Sequence, residues 1–360
     1  MGRPAEATVL LDLPDVPGRA ALRAGLMAMR IAPTALPTDR RGRETVLQGL
    51  AERPHAVAFV DISQADATSV PTLLQLDAAL PRDAMRGRIV LTRLAAVAGH
   101  VGDADRRWVQ QLGFADLVPE FDALDCEGGL RRALEVVARA ADTDAPSPAE
   151  LARFVRVMDE RRDDRSPRAA LRRRAGQSAE ALAGILARSL VIRDRTWRLQ
   201  NFPQCFVGSE AVAWMARHFQ CTPAEAVAAG QALMSLGLMM HVAHAHPFLD
   251  DKLFYRLAVS EAADRVDPGD VLRMLTAAAG PPVADRTHLG KTCARCWVGS
   301  EAVDRVVARF GILRHDAWVL LHRLMQFGLI AHVVRARPFI DGHFYFFYRF
   351  TGLTGAEDRT

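Results

Sequence analysis

The sequence predicts a multidomain protein in which an N-terminal α/β domain with a parallel sheet precedes two smaller α+β domains. Three observations predict this architecture. Short apolar runs alternate with helical patterns over residues 1–141. The second half of the chain contains an internal repeat with an offset of 91 residues. Each repeat then has the pattern of three helices followed by two short strands. A length of 360 residues leaves room for two to four domains.

The N-terminal domain is predicted from its alternating strands and helices. The predicted strands are residues 8–11, 31–36, 56–60, 89–91 and 117–118, and helical patterns between them include 72–80 and 130–137. Such alternation indicates a parallel sheet with helices on both faces. Pro33 places the second run at a sheet edge. This placement agrees with the flavodoxin-like strand order 2-1-3-4-5, in which ligands bind at the carboxyl ends of the strands.

The strand ends of this domain resemble the receiver domain of response regulators. The matching segments are Phe59-Val60-Asp61-Ile62, Val90-Leu91-Thr92 and Gly113-Phe114-Ala115-Asp116-Leu117-Val118. The resemblance implies that Asp61 is the candidate phospho-acceptor and that Thr92 is the switch hydroxyl.

The domain also departs from the receiver pattern. The first strand ends in one acid, Asp12, where the family has an adjacent pair, and Asp15 lies three residues further on. Pro119 replaces the lysine that pairs with the phosphoryl group. Mg²⁺ needs carboxylates together with phosphate oxygens, and these changes remove ligands. We therefore expect a degenerate receiver-like domain that serves as a docking surface.

Residues 142–177 are predicted to be an Arg-rich helical linker. Pro146-Ser147-Pro148 is a linker signal, and an amphipathic helix follows it. The arginines of the run are Arg161, Arg162, Arg165, Arg168, Arg172, Arg173 and Arg174. Two interpretations remain open for this run: a solvated linker face, or a basic contact for acidic lipid or protein.

The repeat is evident from residue identities in register. Without a gap, 22 of the 57 positions from Asp194 to Asp250 are identical 91 residues later. The longest matches are Asp194-Arg195-Thr196 with Asp285-Arg286-Thr287, and Cys205-Phe206-Val207-Gly208-Ser209-Glu210-Ala211-Val212 with Cys296-Trp297-Val298-Gly299-Ser300-Glu301-Ala302-Val303. So many identities at one offset indicate two copies of one domain.

The elements of the first copy follow from local signals. A first helix is predicted over 178–192, and Ser209 is the predicted N-cap of the second. Thr222-Pro223-Ala224-Glu225 is a capping box that opens the third helix, which ends at Gly237. Two short strands are predicted at 238–242 and 252–257. Three helices and a β-wing make a winged-helix-like plan.

These residues resemble the DEP domain family. The resemblance rests on the two motifs above, on Gly-Leu-Met-Met-His-Val entering the wing and on Phe-Leu-Asp-Asp with Phe-Tyr-Arg closing it. It implies two non-catalytic signalling modules, over 178–260 and 265–352, that tether proteins to membranes or other partners. In the family, the arm between the first two helices often makes the contact; here the arms are residues 194–206 and 285–297. The predicted partner-binding residues are Arg195, Trp197 and Arg198 in the first arm, and Arg286, His288, Lys291 and Arg295 in the second.

Two sets of residues have the spacing of metal ligands, but comparison of the two copies weakens the case for a metal site at either set. Of His241, His244 and His246, only the first returns, as His332, and arginines replace the other two. Cys293 and Cys296 form a single CxxC, and Phe202 occupies the position of Cys293 in the first copy. We therefore expect structural side chains and no metal site.

Charge and motif content separate the remaining functional classes. Net charges are −1, +2, +1 and +2 over residues 1–141, 142–177, 178–260 and 261–360. Because no segment concentrates positive charge, nucleic acid is disfavoured as a partner. A receiver-linked winged-helix transcription regulator that binds DNA remains the alternative. No nucleophile, base and metal set is assembled, so we expect neither an enzyme nor a cofactor. Without a transmembrane segment or a signal peptide, and with five cysteines, the chain is expected in the cytoplasm.

The expected function is therefore that of a signal-transduction adaptor. Its DEP pair would dock on an unidentified protein partner, on anionic lipid headgroups, or on both. Membrane binding would place it peripherally at the inner membrane face.

Overall fold

The computed structural model describes residues 8–13, 17–36, 40–62, 73, 76–77, 80, 85–92, 101–118, 129–161, 175–176, 178–198, 200–243, 245–288, 291–333, 339–342 and 347–350. In this part of the chain, the residues up to 161 form one compact unit, and the residues from 175 onward belong to a second.

The N-terminal unit contains a five-stranded parallel sheet. Its strands are β1 (Val9–Asp12), β2 (Pro33–Ala35), β3 (Val57–Asp61), β4 (Ile89–Thr92) and β5 (Asp116–Val118). They lie in the order β2-β1-β3-β4-β5, so the predicted parallel sheet and its strand order are confirmed. Pro33 lies on the edge strand β2, where its missing N–H leaves no gap in the sheet interior.

Helices cover this sheet. They are α1 (Pro17–Ala28), α2 (Arg40–Glu52), α3 (Asp103–Gln111), α4 (Arg131–Ala141) and α5 (Pro148–Arg161). Helix α5, which the sequence places in the linker, packs on this unit through the buried side chains of Leu151 and Val155. Residues 162–174, which carry most of the Arg-rich run, lie outside the described residues. In the part of the chain that the structure describes, no helix is both long enough and apolar enough to span a membrane.

The second unit begins with the first copy of the repeat. Its elements are α6 (Ala179–Ser189), β6 (Arg193–Trp197), β7 (Gln200–Val207), α7 (Gly208–His218), α8 (Pro223–Ser235), β8 (Met239–His241) and β9 (Phe254–Leu257). The strands form an antiparallel sheet in the order β6-β7-β9-β8. The predicted wing strands are therefore present, and the arm, which the sequence indicates only as a polar stretch, is a β-hairpin in the same sheet.

The second copy repeats this arrangement. Its elements are α9 (Pro268–Thr276), β10 (Ala284–His288), β11 (Lys291–Val298), α10 (Gly299–Phe310), α11 (Arg314–Gln326), β12 (Ile330–His332) and β13 (Phe347–Phe350). The strand order is β10-β11-β13-β12. A 3₁₀ turn at Ala263–Arg265 lies in the connection between the copies.

The start of the second helix differs from the prediction. Helix α7 begins at Gly208 after the N-cap Val207, so Ser209 lies in the first turn and is not the cap. The amide of Gly208 donates to the carbonyl of Leu253 at 2.9 Å, and the amide of Ser209 donates to that of Asp251 at 2.9 Å. The wing therefore caps this helix with backbone carbonyls, and no side-chain cap is needed.

The other local signals of the first copy are confirmed. Thr222 and Glu225 form the predicted reciprocal capping box, with N–H to oxygen distances of 2.9 and 3.3 Å. Gly237 has a φ of +66°, the left-handed conformation expected of a helix-ending glycine.

Candidate partner-docking site

Each arm is a β-hairpin with a bulge near its base. In the first arm Trp197 pairs with Gln200 across the turn, and the register shifts between Arg193 and Arg195. The extra residues on the opposite strand include Gln204, whose φ is +48°. The second arm has the same shift, with Arg295 at a φ of +49°. A bulge at the same place in both copies is a built feature of the arm.

The aspartate of the repeated Asp-Arg-Thr motif stabilises this bulge. Asp194 Oδ1 accepts from the backbone N–H of Gln204 at 3.0 Å. Asp285 Oδ1 accepts from the N–H of Arg295 at 2.8 Å. A left-handed non-glycine residue carries a conformational cost, and a charged hydrogen bond offsets it. The motif therefore specifies the shape of the arm.

The arginine of the motif attaches the arm to the second helix. Arg195 Nη2 lies 2.9 Å from Glu210 Oε2, and the arginine side chain is only 11% exposed. Its guanidinium also lies 5.9 Å from the ring centroid of Phe254. In the second copy Arg286 Nη2 lies 3.3 Å from Glu301 Oε2. This placement favours a positioning role for the two arginines over direct contact with a partner.

The tip of the first arm presents an aromatic ring and a cation together. Trp197 is 60% exposed. The guanidinium carbon of Arg198 lies 5.6 Å from the Trp197 ring centroid. Arg198 has a φ of +47°, so it forms part of the turn that reverses the chain. The structure thus brings together two of the predicted contact residues at the exposed end of the hairpin.

The tip of the second arm has a different composition. His288 and Lys291 pair in register across the turn, but their side chains lie outside the described residues. Behind them the hydroxyls of Thr287 and Thr292 lie 3.1 Å apart across the strands. Arg295 is exposed at the bulge, away from the tip.

The predicted site of the N-terminal unit lies at the carboxyl edge of its sheet. Asp61 and Thr92 are register partners on β3 and β4. The hydroxyl of Thr92 donates to Asp61 Oδ2 at 3.0 Å. Asp12 ends the adjacent strand β1, and all three residues are buried. Asp15 and Pro119 lie outside the described residues.

The histidines of the first wing serve the wing turn. His241 is buried, and its Nδ1 accepts from the N–H groups of Ala243 and Ala245 at 3.2 and 3.4 Å. Burial lowers the pKa of His241, and the nearby His246 lowers it further. Both causes keep the ring neutral, as an acceptor must be. His244 lies outside the described residues.

The CxxC cysteines lie in the second arm. Cys296 is buried with its Sγ 3.3 Å from the carbonyl oxygen of Cys293, and burial raises the pKa of its thiol. Among the residues that the structure describes, no three His, Cys, Asp or Glu side chains form a cluster suited to a metal. The expectation of no zinc site stays a prediction.

Some residues of the site were not singled out from the sequence. Glu210 and Glu301 hold the arms, and their place in the repeated Gly-Ser-Glu motif was the available signal. Arg256 donates to the carbonyl of Pro203 in the bulge of the first arm at 2.8 Å. No pattern in the sequence connects these last two residues.

Each copy of the repeat thus combines three helices with a four-stranded antiparallel sheet that includes the hairpin arm. The family described as "Domain found in Dishevelled, Egl-10, and Pleckstrin (DEP)" matches residues 189–257 and 280–350. The chain therefore carries two DEP domains in tandem, as the repeat predicts.

Curated relatives share this region. The mouse (Mus musculus) phosphatidylinositol 3,4,5-trisphosphate-dependent Rac exchanger 1 protein is 32% identical over 167 residues, which is 43% of this chain and 10% of the relative. The vacuolar membrane-associated protein IML1 of Yarrowia lipolytica is 38% identical over 76 residues, 21% of this chain and 5% of the relative. The chain thus spans a tenth or less of the length of these relatives.

Proposed function

We propose that the protein is a non-catalytic cytoplasmic signalling adaptor that docks through the first DEP arm. The observation that carries this proposal is the exposed Trp197 with Arg198 over its ring, on a hairpin held by Arg195 and Asp194. Tryptophan and arginine are the residues most enriched in binding hot spots. A rigid hairpin reduces the entropy lost on binding.

The chemistry of this tip suits an acidic protein segment or an anionic membrane surface. The indole is an amphipathic ring suited to a protein pocket or a headgroup layer, and the guanidinium pairs with carboxylate or phosphate. The names of the relatives mention a phosphoinositide and the vacuolar membrane, which supports a peripheral membrane role here.

We assign the N-terminal unit a receiver-like, flavodoxin-type fold. Its proposed role is that of a second docking surface. Its 2-1-3-4-5 parallel sheet and the Asp61–Thr92 pair support this assignment. The DEP copies have the winged-helix-like plan of three helices and a wing. The adaptor would then connect one partner at the sheet edge with another at the DEP pair.

Substitutions at the arm tip test this proposal. Trp197→Ala is expected to weaken docking by roughly 30-fold, the loss typical of a hot-spot tryptophan. At low salt, Arg198→Glu should weaken docking by more than Trp197→Ala does. Sedimentation with phosphatidylcholine vesicles, with and without phosphatidylinositol phosphates, measures the lipid contribution. Capture of partners from the native host measures the protein contribution.

Met27 provides the matched control. It is an exposed apolar side chain, 68% accessible, in the N-terminal unit. Met27→Ala should leave both forms of docking unchanged, and all three variants should melt like the wild type. Docking that is indifferent to both tip substitutions would refute the role of the first arm.

The transcription-regulator alternative predicts a different result. The DEP copies carry net charges of only +1 and +2, and acids are mixed among the bases. Duplex DNA should therefore bind no tighter than the nonspecific range of ~10⁻⁴–10⁻⁶ M at physiological salt. Anisotropy titration with mixed-sequence duplex measures this affinity. Sequence-selective binding near ~10⁻⁸ M would establish the alternative instead.

The N-terminal unit is expected not to accept phosphate at Asp61. The family's second acid and its lysine are replaced in the sequence, which removes Mg²⁺ and phosphoryl ligands. The full chain can be incubated with Mg²⁺ and a small phosphodonor and then weighed by mass spectrometry. A stoichiometric, acid-labile phosphate that disappears in Asp61→Asn would show a working receiver.

A further inference from the structure

The third helix of the second DEP domain is buried on almost every side. In α11, Trp318, Val319, Leu320 and Leu321 have exposures of 1% or less. Consecutive buried residues point around the whole helix, so the helix must have neighbours on opposite faces. It packs on α10 and β12 of its own domain, and on β7 of the first domain. The second domain therefore uses this helix to contact the sheet that bears the first arm.

Arg256 connects this helix to the first arm. It lies on β9 of the first domain, and its Nη2 donates to the carbonyl of Pro203 in the arm bulge at 2.8 Å. Its guanidinium carbon lies 5.3 Å from the ring centroid of Trp318. The Trp318 Nε1–H donates to the carbonyl of Phe339 at 3.0 Å, which fixes the indole within the second domain. One continuous set of contacts thus runs from the second domain to the bulge.

The bulge is held from two sides. Asp194 holds Gln204 from the first strand of the arm, and Arg256 holds Pro203 from the wing. Burial lowers the pKa of Arg256, and Asp341 of the second domain offsets part of this effect. The surroundings of this guanidinium therefore include Trp318 and Asp341 of the second domain as well as groups of the first.

Two further contacts join α11 to the connection between the copies. Ser260 Oγ donates to Asp316 Oδ1 at 2.6 Å at the start of α11. Arg323 Nη2 lies 2.5 Å from Asp264 Oδ1 near its end. Ser260 and Asp264 belong to the connection between the domains, so α11 is tied near both of its ends to the segment that joins the copies.

The residues that make these contacts are specific to the second copy. At the positions of Trp318 and Arg323, the first copy has Val227 and Ala232. A DEP fold is thus formed without the aromatic ring and the cation. Trp318 instead contacts Arg256 of the first domain, and Arg323 contacts Asp264 of the connection.

We propose that the second DEP domain sets the conformation of the first arm, with Arg256 as the positioning residue that links them. The proposal rests on the proposed function only in taking the first arm as the docking element. Contact with Trp318 holds the Arg256 guanidinium against Pro203, and this keeps the bulge closed and the tip in its docking geometry. Weakening the contact between the domains loosens the arm.

Hydrogen exchange in the full chain tests this coupling. Arg256→Met should speed the exchange of first-arm amides in β6 and β7 by ~10-fold, since a desolvated cation–π contact and a hydrogen bond are lost. Trp318→Leu should speed the same amides, although this residue belongs to the other domain. The double variant should exchange no faster at the first arm than the faster single variant, because both act through one contact.

Val306→Ala provides the matched control. Val306 is fully buried in α10 of the second domain. Its replacement should speed exchange in the second domain and leave the first arm unchanged. If Trp318→Leu unfolds the second domain, Trp318→Phe preserves an apolar ring there, weakens the cation–π contact, and should produce a smaller change in the same direction.

First-arm exchange that is unaffected by the Trp318 variants, or that responds equally to Val306→Ala, would overturn the proposal. The measurement needs no partner or vesicle. A failure of coupling is therefore distinguishable from a failure of docking.

Discussion

Replacing Gly208 with alanine is expected to lower the free energy of unfolding of the DEP pair by roughly 2–3 kcal/mol. A Cβ atom at this position would lie 2.4 Å from the carbonyl oxygen of Leu249 and 2.8 Å from Cε2 of Tyr255. The wing backbone is poorly placed to move away, because Asp251 in the same segment caps α7 through Ser209. Urea denaturation of the full chain, followed by tryptophan fluorescence, measures the change.

Gly184 provides the control for this prediction. It lies within α6, and a Cβ there would have its nearest neighbour, Arg188 Nη1, at 3.5 Å. Gly184→Ala should therefore stabilise the domain by up to ~1 kcal/mol through its helix propensity. Gly299→Ala should reproduce the loss in the second copy, where the Cβ would lie 2.4 Å from the carbonyl oxygen of Ile340. A Gly208→Ala protein as stable as the wild type would show that the wing can move aside.

Acidification below pH 6.5 is expected to destabilise the DEP pair through His315. Burial lowers the pKa of this residue to about 4, and the positive charge of Arg256 acts in the same direction, while Asp316 opposes it. The unfolded chain, with an ordinary histidine pKa of ~6.5, takes up the proton first. The contribution of His315 is therefore complete above pH 6.5 and is lost progressively as the pH falls to about 4, by roughly 3 kcal/mol in all.

The difference between the wild type and His315→Gln isolates this contribution. His241 also has a lowered pKa and weakens the fold in the same direction, so the wild-type slope alone is insufficient. Urea denaturation at pH 7 and pH 4.5 should show a smaller loss in His315→Gln than in the wild type. Equal losses would assign the acid sensitivity to other groups.

Local signals explain why much of the fold was predictable. The capping box at Thr222 and the glycine at 237 act over a single turn of chain, and both are where the sequence places them. The parallel sheet followed from alternation, and Pro33 fixed one edge. Each of these signals depends on neighbours in the sequence and on no distant partner.

The features that were missed depend on partners far away in the chain. The sequence predicts Arg195 as a partner-binding residue, and only the fold brings Glu210 to its guanidinium. The arm does not alternate like a strand because a bulge at Gln204 interrupts it. The α5 helix begins within Pro146-Ser147-Pro148, which predicts a linker, whereas Leu151 of this helix packs on the N-terminal core. Among the predicted contact residues whose side chains the structure describes, Trp197 and Arg198 lie together at the turn of the first arm.

The wing occupies backbone amides at the start of α7, and this limits how the first DEP domain can bind a phosphorylated ligand. In many folds the first amides of a helix receive a phosphate group. Here the amides of Gly208 and Ser209 already donate to Leu253 and Asp251, so two of those donors are taken. Under the proposed function, the group that would pair with a phosphate is therefore the guanidinium of Arg198 at the arm tip. Recognition by side chains allows sequence change in the arm to alter ligand choice while the backbone of the domain stays the same.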